Sequence, residues 1–190
     1  MRNFSFSKTP LKGLLIVEPH ISINDDGYSM ITYNDEFSDY VRHVDGTICA
    51  YLQDNESKSK KGVLRGIHTH LYHPQGKLVR VTHGQIFDAV VDVRKDSPTF
   101  GKWYGVVLSS CNRKMLLVPE GFLHGFFVLS EEAVFQYKCT RIYDPQDEIG
   151  VMWNDPDIGI RWPIRSNECP VLSEKDKNNI SFKAMCDLVT

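Results

Sequence analysis

Two histidines one residue apart, His68 and His70, close the segment GVLRGIHTH that runs from Gly62 to His70. Side chains two apart in a strand share a face, so in a strand both imidazoles look into the same space. The bland reading is that both are solvated or satisfied polar residues of a half-exposed strand. A third histidine, His124, ends PEGFLH, in which Pro119 and Gly121 make a tight turn. Three neutral imidazoles can hold a divalent ion such as zinc, iron or nickel. An imidazole with a suitable partner can instead act as a general base near neutral pH. Lys77 bears on the choice, because an ammonium pointing into the same space repels a dication.

Such side chains need rigid elements to hold them. Short apolar or alternating runs recur along the chain: LLIVEP, ICAYLQD, GVLRGIH, KLVRVTHG, IFDAVVDVR, WYGVVLS, KMLLVPEG, HGFFVLS and AVFQYKCTRIYDP. Their richness in Val, Leu, Phe and Tyr, with Gly, Pro, Asn and Ser between them, predicts strands packed as a sandwich or barrel. In IFDAVVDV the two-residue period puts Asp88, Val90 and Asp92 on one face, so polar groups turn inward and imply a lined cavity. These two aspartates read as structural. Helix signals are few: NDEFSDYVRH, capped by Asn34, and SEKDKNNISFKAMCDLV, opening on a capping arrangement at Ser173 and Asp176. NESKSKKG, from Asn55 to Gly62, reads as a polar, basic loop. Trp103, Trp153 and Trp162 read as packing anchors. With no repeat or linker, residues 1–190 read as one domain with N-terminal strands and a C-terminal helical tail.

The composition, 42% hydrophobic and 24% charged with a net charge of -2, gives no electrostatic reason to seek nucleic acid or anionic lipid. Neither is expected as a partner. Cys49, Cys111, Cys139, Cys169 and Cys186 are odd in number, scattered and free of any C-x-x-C pair. They are expected to be reduced thiols, mostly in the core. The N-terminal segment lacks a cleavable apolar core, and no run approaches the roughly 18 apolar residues of a spanning helix, so the expected address is the cytoplasm.

The pattern G-x5-H-x-H followed by P-x-G-x2-H, filled here by Gly62, His68, His70, Pro119, Gly121 and His124, resembles the double signature of the cupin barrels. Metal-binding cupins carry a glutamate after the second histidine; this chain has Gln75 there. The match narrows further. GVLRGIH, QGKLVRVTHGQIFDAVVDVRKDSPTFGKW, VPEGFLHGFFVLS, YKCTRIYDP, WNDPDIGIRWP and LSEKD together resemble the dTDP-4-dehydrorhamnose 3,5-epimerase family over nearly the whole chain. The resemblance implies an all-β cupin jelly-roll barrel with a few short peripheral helices, a homodimer, a nucleotide-sugar substrate, and neither metal nor dissociable cofactor. It implies His68 as general base, oriented by Asp176, with Tyr137 as proton donor and Lys77 and His124 facing the sugar. Arg65 is implied to bind phosphate and Lys175 to touch substrate. Gln53 and Asn55 are implied to lie along the nucleotide, with Tyr143 and Glu148 at further ligand positions.

The implied reaction inverts C3 and C5 beside the ketone of a 4-keto-6-deoxy nucleotide sugar. Such carbon acids are too weak for a free imidazole, so the enolate oxygen must be stabilised where charge develops. Two departures stand out. The early R-G-x-F-x-E block of the family reads DDGYSMI here, with Asp26 and Ile31 at the Arg and Glu positions, so part of the usual anion clamp is missing. His70 stands where the family has glutamine, which leaves it between a substrate contact, a ligand remnant and a change of specificity. Four alternatives stay open: a mono-epimerase, a 3,4-ketoisomerase, a metal-dependent cupin enzyme, and a non-catalytic sugar-nucleotide binding module.

Overall fold

The computed structural model describes residues 2–43 and 45–188. Its thirteen strands are β1 (Phe4–Lys8), β2 (Leu15–Pro19), β3 (Ile21–Asn24), β4 (Gly27–Met30), β5 (Gln53–Lys60), β6 (Leu64–His70), β7 (Lys77–His83), β8 (Gln85–Asp92), β9 (Trp103–Ser109), β10 (Met115–Val118), β11 (Phe122–Val128), β12 (Glu132–Cys139) and β13 (Glu148–Gly150). Helix is confined to a 3-10 turn at Asp35–Asp39, α1 (Glu174–Lys177) and α2 (Phe182–Leu188). One sheet has six strands in the order β1-β2-β10-β7-β12-β5, the other five in the order β13-β6-β11-β8-β9; β3 and β4 form a separate hairpin. All named pairings are antiparallel. The fold is the all-β jelly-roll barrel of the cupin type.

The two-residue period explains how three apolar clusters coexist. Leu116 and Val118 on β10, Val79 and Val81 on β7, and Ile86 and Val90 on β8 point between the sheets, with Phe126 and Phe135, to fill one end of the barrel. Their neighbours Met115, Leu117 and Leu78 point the other way, under Phe4, Val17 and Phe37. Behind the five-stranded sheet, Ile67, Val91, Leu123 and Val151 pack against Phe182 and Met185 of α2. With both faces covered, β10 and β11 are buried along their whole length. Each large apolar side chain so buried is worth roughly 1.5–3 kcal/mol.

Several expectations need correction. NESKSKKG is not a loop: β5 runs through Lys60 and pairs with β12 over its full length, Gln53 opposite Cys139 to Lys60 opposite Glu132. It is an edge strand whose outward residues Asp54, Glu56, Lys58 and Lys60 are exposed. Charge on an edge protects it from stray pairing, which is why its composition does not read as a strand. ICAYLQD is largely irregular, with only the Arg42–Ile48 bridge before β5 begins. NDEFSDYVRH yields only the 3-10 turn, though Asn34 does cap it by accepting from the Glu36 N–H. The C-terminal segment breaks into two short helices, the first capped by Ser173 as expected; Val189, at the end of that expectation, lies outside the described residues. Of the five thiols only Cys139 is buried, and Cys111 and Cys169 are exposed. Trp103 and Trp162 pack behind the five-stranded sheet, and the Trp162 indole N–H donates to the Trp153 carbonyl at 2.7 Å. No described helix is long and apolar enough to cross a membrane.

Candidate functional site

Opposite the apolar end, the two sheets part around a cavity of about 360 Å³. Every side chain nominated from the sequence lines it: His68, Tyr137, Asp176, Lys77, Arg65, Gln53, Asn55, His70, His124, Tyr143, Glu148 and Lys175. The strand registers set the layout. On the six-stranded sheet Asn55 and Val79 flank Tyr137, while Gln53 and Lys77 flank Cys139. On the five-stranded sheet Gly150, His68, His124 and Val90 lie in one row, with Glu148 opposite His70 in the next. The phenol and the ammonium therefore rise from one sheet and the imidazoles from the other.

The approach of β6 to β11 brings His68 and His124 together. Gly125 makes it possible, because a Cβ there would lie 2.6 Å from the Arg65 carbonyl oxygen and 2.8 Å from Ile67 Cγ2. Gly66, at φ +109, meets the same crossing from the other side, its would-be Cβ 2.8 Å from the Gly125 Cα.

His68 stands between two carboxylates. Asp176 Oδ1 is 2.6 Å from its Nε2, close though not aligned on the ring N–H, and Glu148 Oε1 is 3.7 Å from its Nδ1. Asp176 is held in turn by the Ser173 hydroxyl, which donates to Oδ2 at 2.7 Å, and by the Gly66 N–H at 3.4 Å. Burial would raise the Asp176 carboxyl, but the adjacent His68 ring and the hydrogen bond from Ser173 outweigh it and the net displacement is downward. Asp176 thus stays ionised beside the ring while also lying in the capped turn of α1. Glu148 pairs with Lys175 and accepts from the Tyr143 hydroxyl at 3.0 Å.

A second histidine–carboxylate pair lies deeper. His124 Nε2 sits 2.9 and 3.0 Å from the two oxygens of Asp88, which is fully buried on β8. Asp88, read from the sequence as structural, therefore reaches the site through His124. Asp92 does not: it takes hydrogen bonds from Arg94, Ser97 and Thr99 in the turn after β8. Lys77 is held below the ordinary ammonium range, chiefly by burial, and among the described residues no carboxylate lies within ion-pair distance. Burial likewise pushes the Tyr137 phenol up, so it remains protonated at neutral pH. Arg65, exposed at the mouth, donates from Nε to the Ser59 hydroxyl at 3.0 Å. Gln53 receives the Tyr143 N–H at 2.9 Å and donates to Asn55 at 2.8 Å.

Among the described residues the three cavity imidazoles do not converge as a ligand set. The one cluster whose donor atoms do, His43, Cys49 and Glu120 within 4.8 Å of one another, lies outside this cavity. There the Arg141 guanidinium stands 3.6 Å from Glu120 and 3.3 Å from His43, a fixed positive charge where a cation would sit. Ser57, Gln75, Phe126, Phe135, Cys139 and Ser173 also line the cavity, though the sequence marked none of them as a site residue. Ser57 was legible only if β5 is a strand, since it then shares the face of Gln53 and Asn55.

The chain matches the dTDP-4-dehydrorhamnose 3,5-epimerase family over residues 8–184. It is 48% identical over 178 residues to the dTDP-4-dehydrorhamnose 3,5-epimerase of Methanothermobacter thermautotrophicus, with 94% of each chain covered. The crystal structure of dTDP-4-dehydrorhamnose 3,5-epimerase from Elizabethkingia anophelis superposes with a TM-score of 0.88 at 43% identity, covering 96% of this chain and 98% of that one. The dTDP-6-deoxy-D-glucose-3,5-epimerase of Legionella pneumophila, solved in complex with dTDP-4-keto-L-rhamnose, gives a TM-score of 0.90 at 38% identity over 98% and 96% of the two chains. By sequence, by fold and by the residues gathered in its cavity, the chain belongs to the dTDP-4-dehydrorhamnose 3,5-epimerase family.

Proposed function

We propose that the protein epimerises C3 and C5 of a 4-keto-6-deoxy nucleotide sugar, of the dTDP-4-dehydro-6-deoxyglucose type, through an enolate. The observation that carries this reading is that His68, backed by Asp176, and Tyr137 rise from opposite sheets into one cavity. A sugar ring held between them offers one face to a base and the other to an acid. Removal of a proton on one side and return on the other is inversion.

Asp176 beside Nε2 fixes the proton of His68 there and leaves the lone pair on Nδ1, the nitrogen that takes the carbon-bound proton. As the C–H bond breaks, its electron pair moves into the ring and negative charge builds on the C4 oxygen. Lys77, with no carboxylate at ion-pair distance among the described residues, gains a close counter-charge at that moment, so its interaction is stronger in the transition state than before it. His124, its Nε2–H held by Asp88, presents its other edge to the sugar. Tyr137 then delivers its phenolic proton to the opposite face of the carbanion. Arg65 at the mouth suits a phosphate and Gln53 and Asn55 the nucleotide, while Lys175, Tyr143 and Glu148 close the near wall.

The family resemblance extends the proposal to a cytoplasmic homodimer formed of one domain per chain. The β3–β4 hairpin, with Ile23 79% and Tyr28 55% exposed, is the arm we assign to contact with the second copy. Asp26 and Ile31 belong to this arm and do not line their own chain's cavity. An aspartate cannot replace arginine at a diphosphate, so a single-carbon epimerase is the second reading. Incubation with the keto sugar nucleotide in deuterium oxide tests both. Deuterium at C3 and C5 with the rhamno product supports the double epimerase; label at one carbon supports the mono-epimerase; a migrated ketone or no exchange contradicts the proposal.

A further inference from the structure

His70 is the one departure inside the cavity that the reaction above does not use. It shares the inward face of β6 with His68, is only 5% exposed, and lies opposite Glu148 in the strand register. Its ring meets Tyr143 edge-on, with centroids 5.8 Å apart at 87°. Its Nε2 is buried with no hydrogen-bond partner. A buried polar nitrogen left unpaired costs free energy in the empty protein, and a ligand that pairs with it recovers that cost.

The charge state narrows what that ligand group is. Burial, then Lys77 and Lys175, push the His70 pKa down to about 4 against the opposing pull of Asp147 and Asp144. At neutral pH the ring is uncharged, with one nitrogen to donate and one to accept. An uncharged ring suits a sugar hydroxyl or ketone better than a phosphate, which Arg65 already serves.

We propose that His70 determines how the sugar is held: its Nε2 hydrogen-bonds a polar group on the sugar ring. This rests on the epimerase reading. Glutamine, which the family has at this position, offers both a donor and an acceptor, so His70→Gln keeps the hydrogen bond. His70→Leu and His70→Ala both lose the bond, the first with most of the ring's volume kept.

The test is steady-state kinetics of the wild type and the three variants on the 4-keto-6-deoxy sugar nucleotide. Loss of the bond is expected to raise KM about tenfold in His70→Leu and His70→Ala, with kcat changed less than about threefold. His70→Gln should restore KM to within about threefold of the wild type. A wild-type KM in His70→Leu, or an equal loss in His70→Gln and His70→Leu, overturns the proposal. If His70→Ala does not fold, His70→Leu against His70→Gln still decides the hydrogen bond. A wild type without turnover contradicts the epimerase reading itself, whereas an active wild type with an indifferent His70→Leu contradicts only the role of His70.

Discussion

Asp176 sets its Oδ1 2.6 Å from the Nε2 of His68, joining a one-turn helix of the C-terminal segment to the middle of a barrel strand. The same carboxylate accepts from Ser173 and from the Gly66 backbone, so its position is fixed on three sides. Asp176→Asn is therefore expected to keep the fold and lose the orientation and charge that His68 needs. In turnover assays kcat should fall by about 10²- to 10⁴-fold. Combining it with His68→Asn should cost no more than the worse single change, because the two act as a unit. Additive losses would show that they do not.

Tyr137 separates proton removal from proton return. Tyr137→Phe keeps the ring between Asn55 and Val79 in the strand register and removes only the hydroxyl. The variant should still wash deuterium into the recovered substrate, because His68 is intact, while formation of the inverted sugar drops by about 10²- to 10⁴-fold. Proton NMR of both sugars after incubation in deuterium oxide reads the two rates. Equal loss of both would place Tyr137 on the same step as His68.

Much of this arrangement was legible in the chain and some of it was not, for identifiable reasons. The strands β6 to β12 announce themselves because at least one face of each is buried in apolar contact, and the period of two in IFDAVVDV marked the inward face correctly. β5 was missed because an edge strand facing a polar cavity on one side and water on the other has no apolar face to show. Gln53 and Asn55 were found only through the family resemblance, and Ser57 not at all. Asp88 was visible as an inward polar residue, but its partnership with His124 depends on the β8–β11 register, which no local signal states.

Gly125 tests the geometry rather than the chemistry. Its missing Cβ lets β11 come close against the Arg65 carbonyl and the Ile67 side chain of β6, beside the two cavity histidines. Gly125→Ala is expected to destabilise the protein by about 1–3 kcal/mol through overpacking. It should also lower kcat, because His68 and His124 move apart. Chemical denaturation with parallel turnover assays checks both, and a variant as stable and active as the wild type would refute the close approach.

The pH dependence of stability carries a signature of His70. In the unfolded chain its imidazole takes up a proton near pH 6.5, whereas in the fold it stays neutral down to about 4. Between those values the unfolded state binds more protons, so stability falls as pH falls, by up to about 1.4 kcal/mol per pH unit. His70→Gln should remove that slope. The lowered carboxyls of Asp92, Asp147 and Asp176 act further down: their stabilisation is complete above the ordinary carboxylate range and is lost as pH falls through their depressed values. That acid limb should survive in the variant. Urea midpoints taken from neutral pH to about pH 2 distinguish the two.

The central claim is that one imidazole, that of residue 68, removes the sugar's carbon-bound protons. Deuterium content at C3 and C5 of the keto sugar nucleotide, followed by NMR with the wild type and with His68→Asn, tests it most directly. The wild type should label the sugar within its turnover time, and His68→Asn should label neither carbon faster than roughly one hundredth of that rate. Labelling by His68→Asn at the wild-type rate would mean that another group takes the proton.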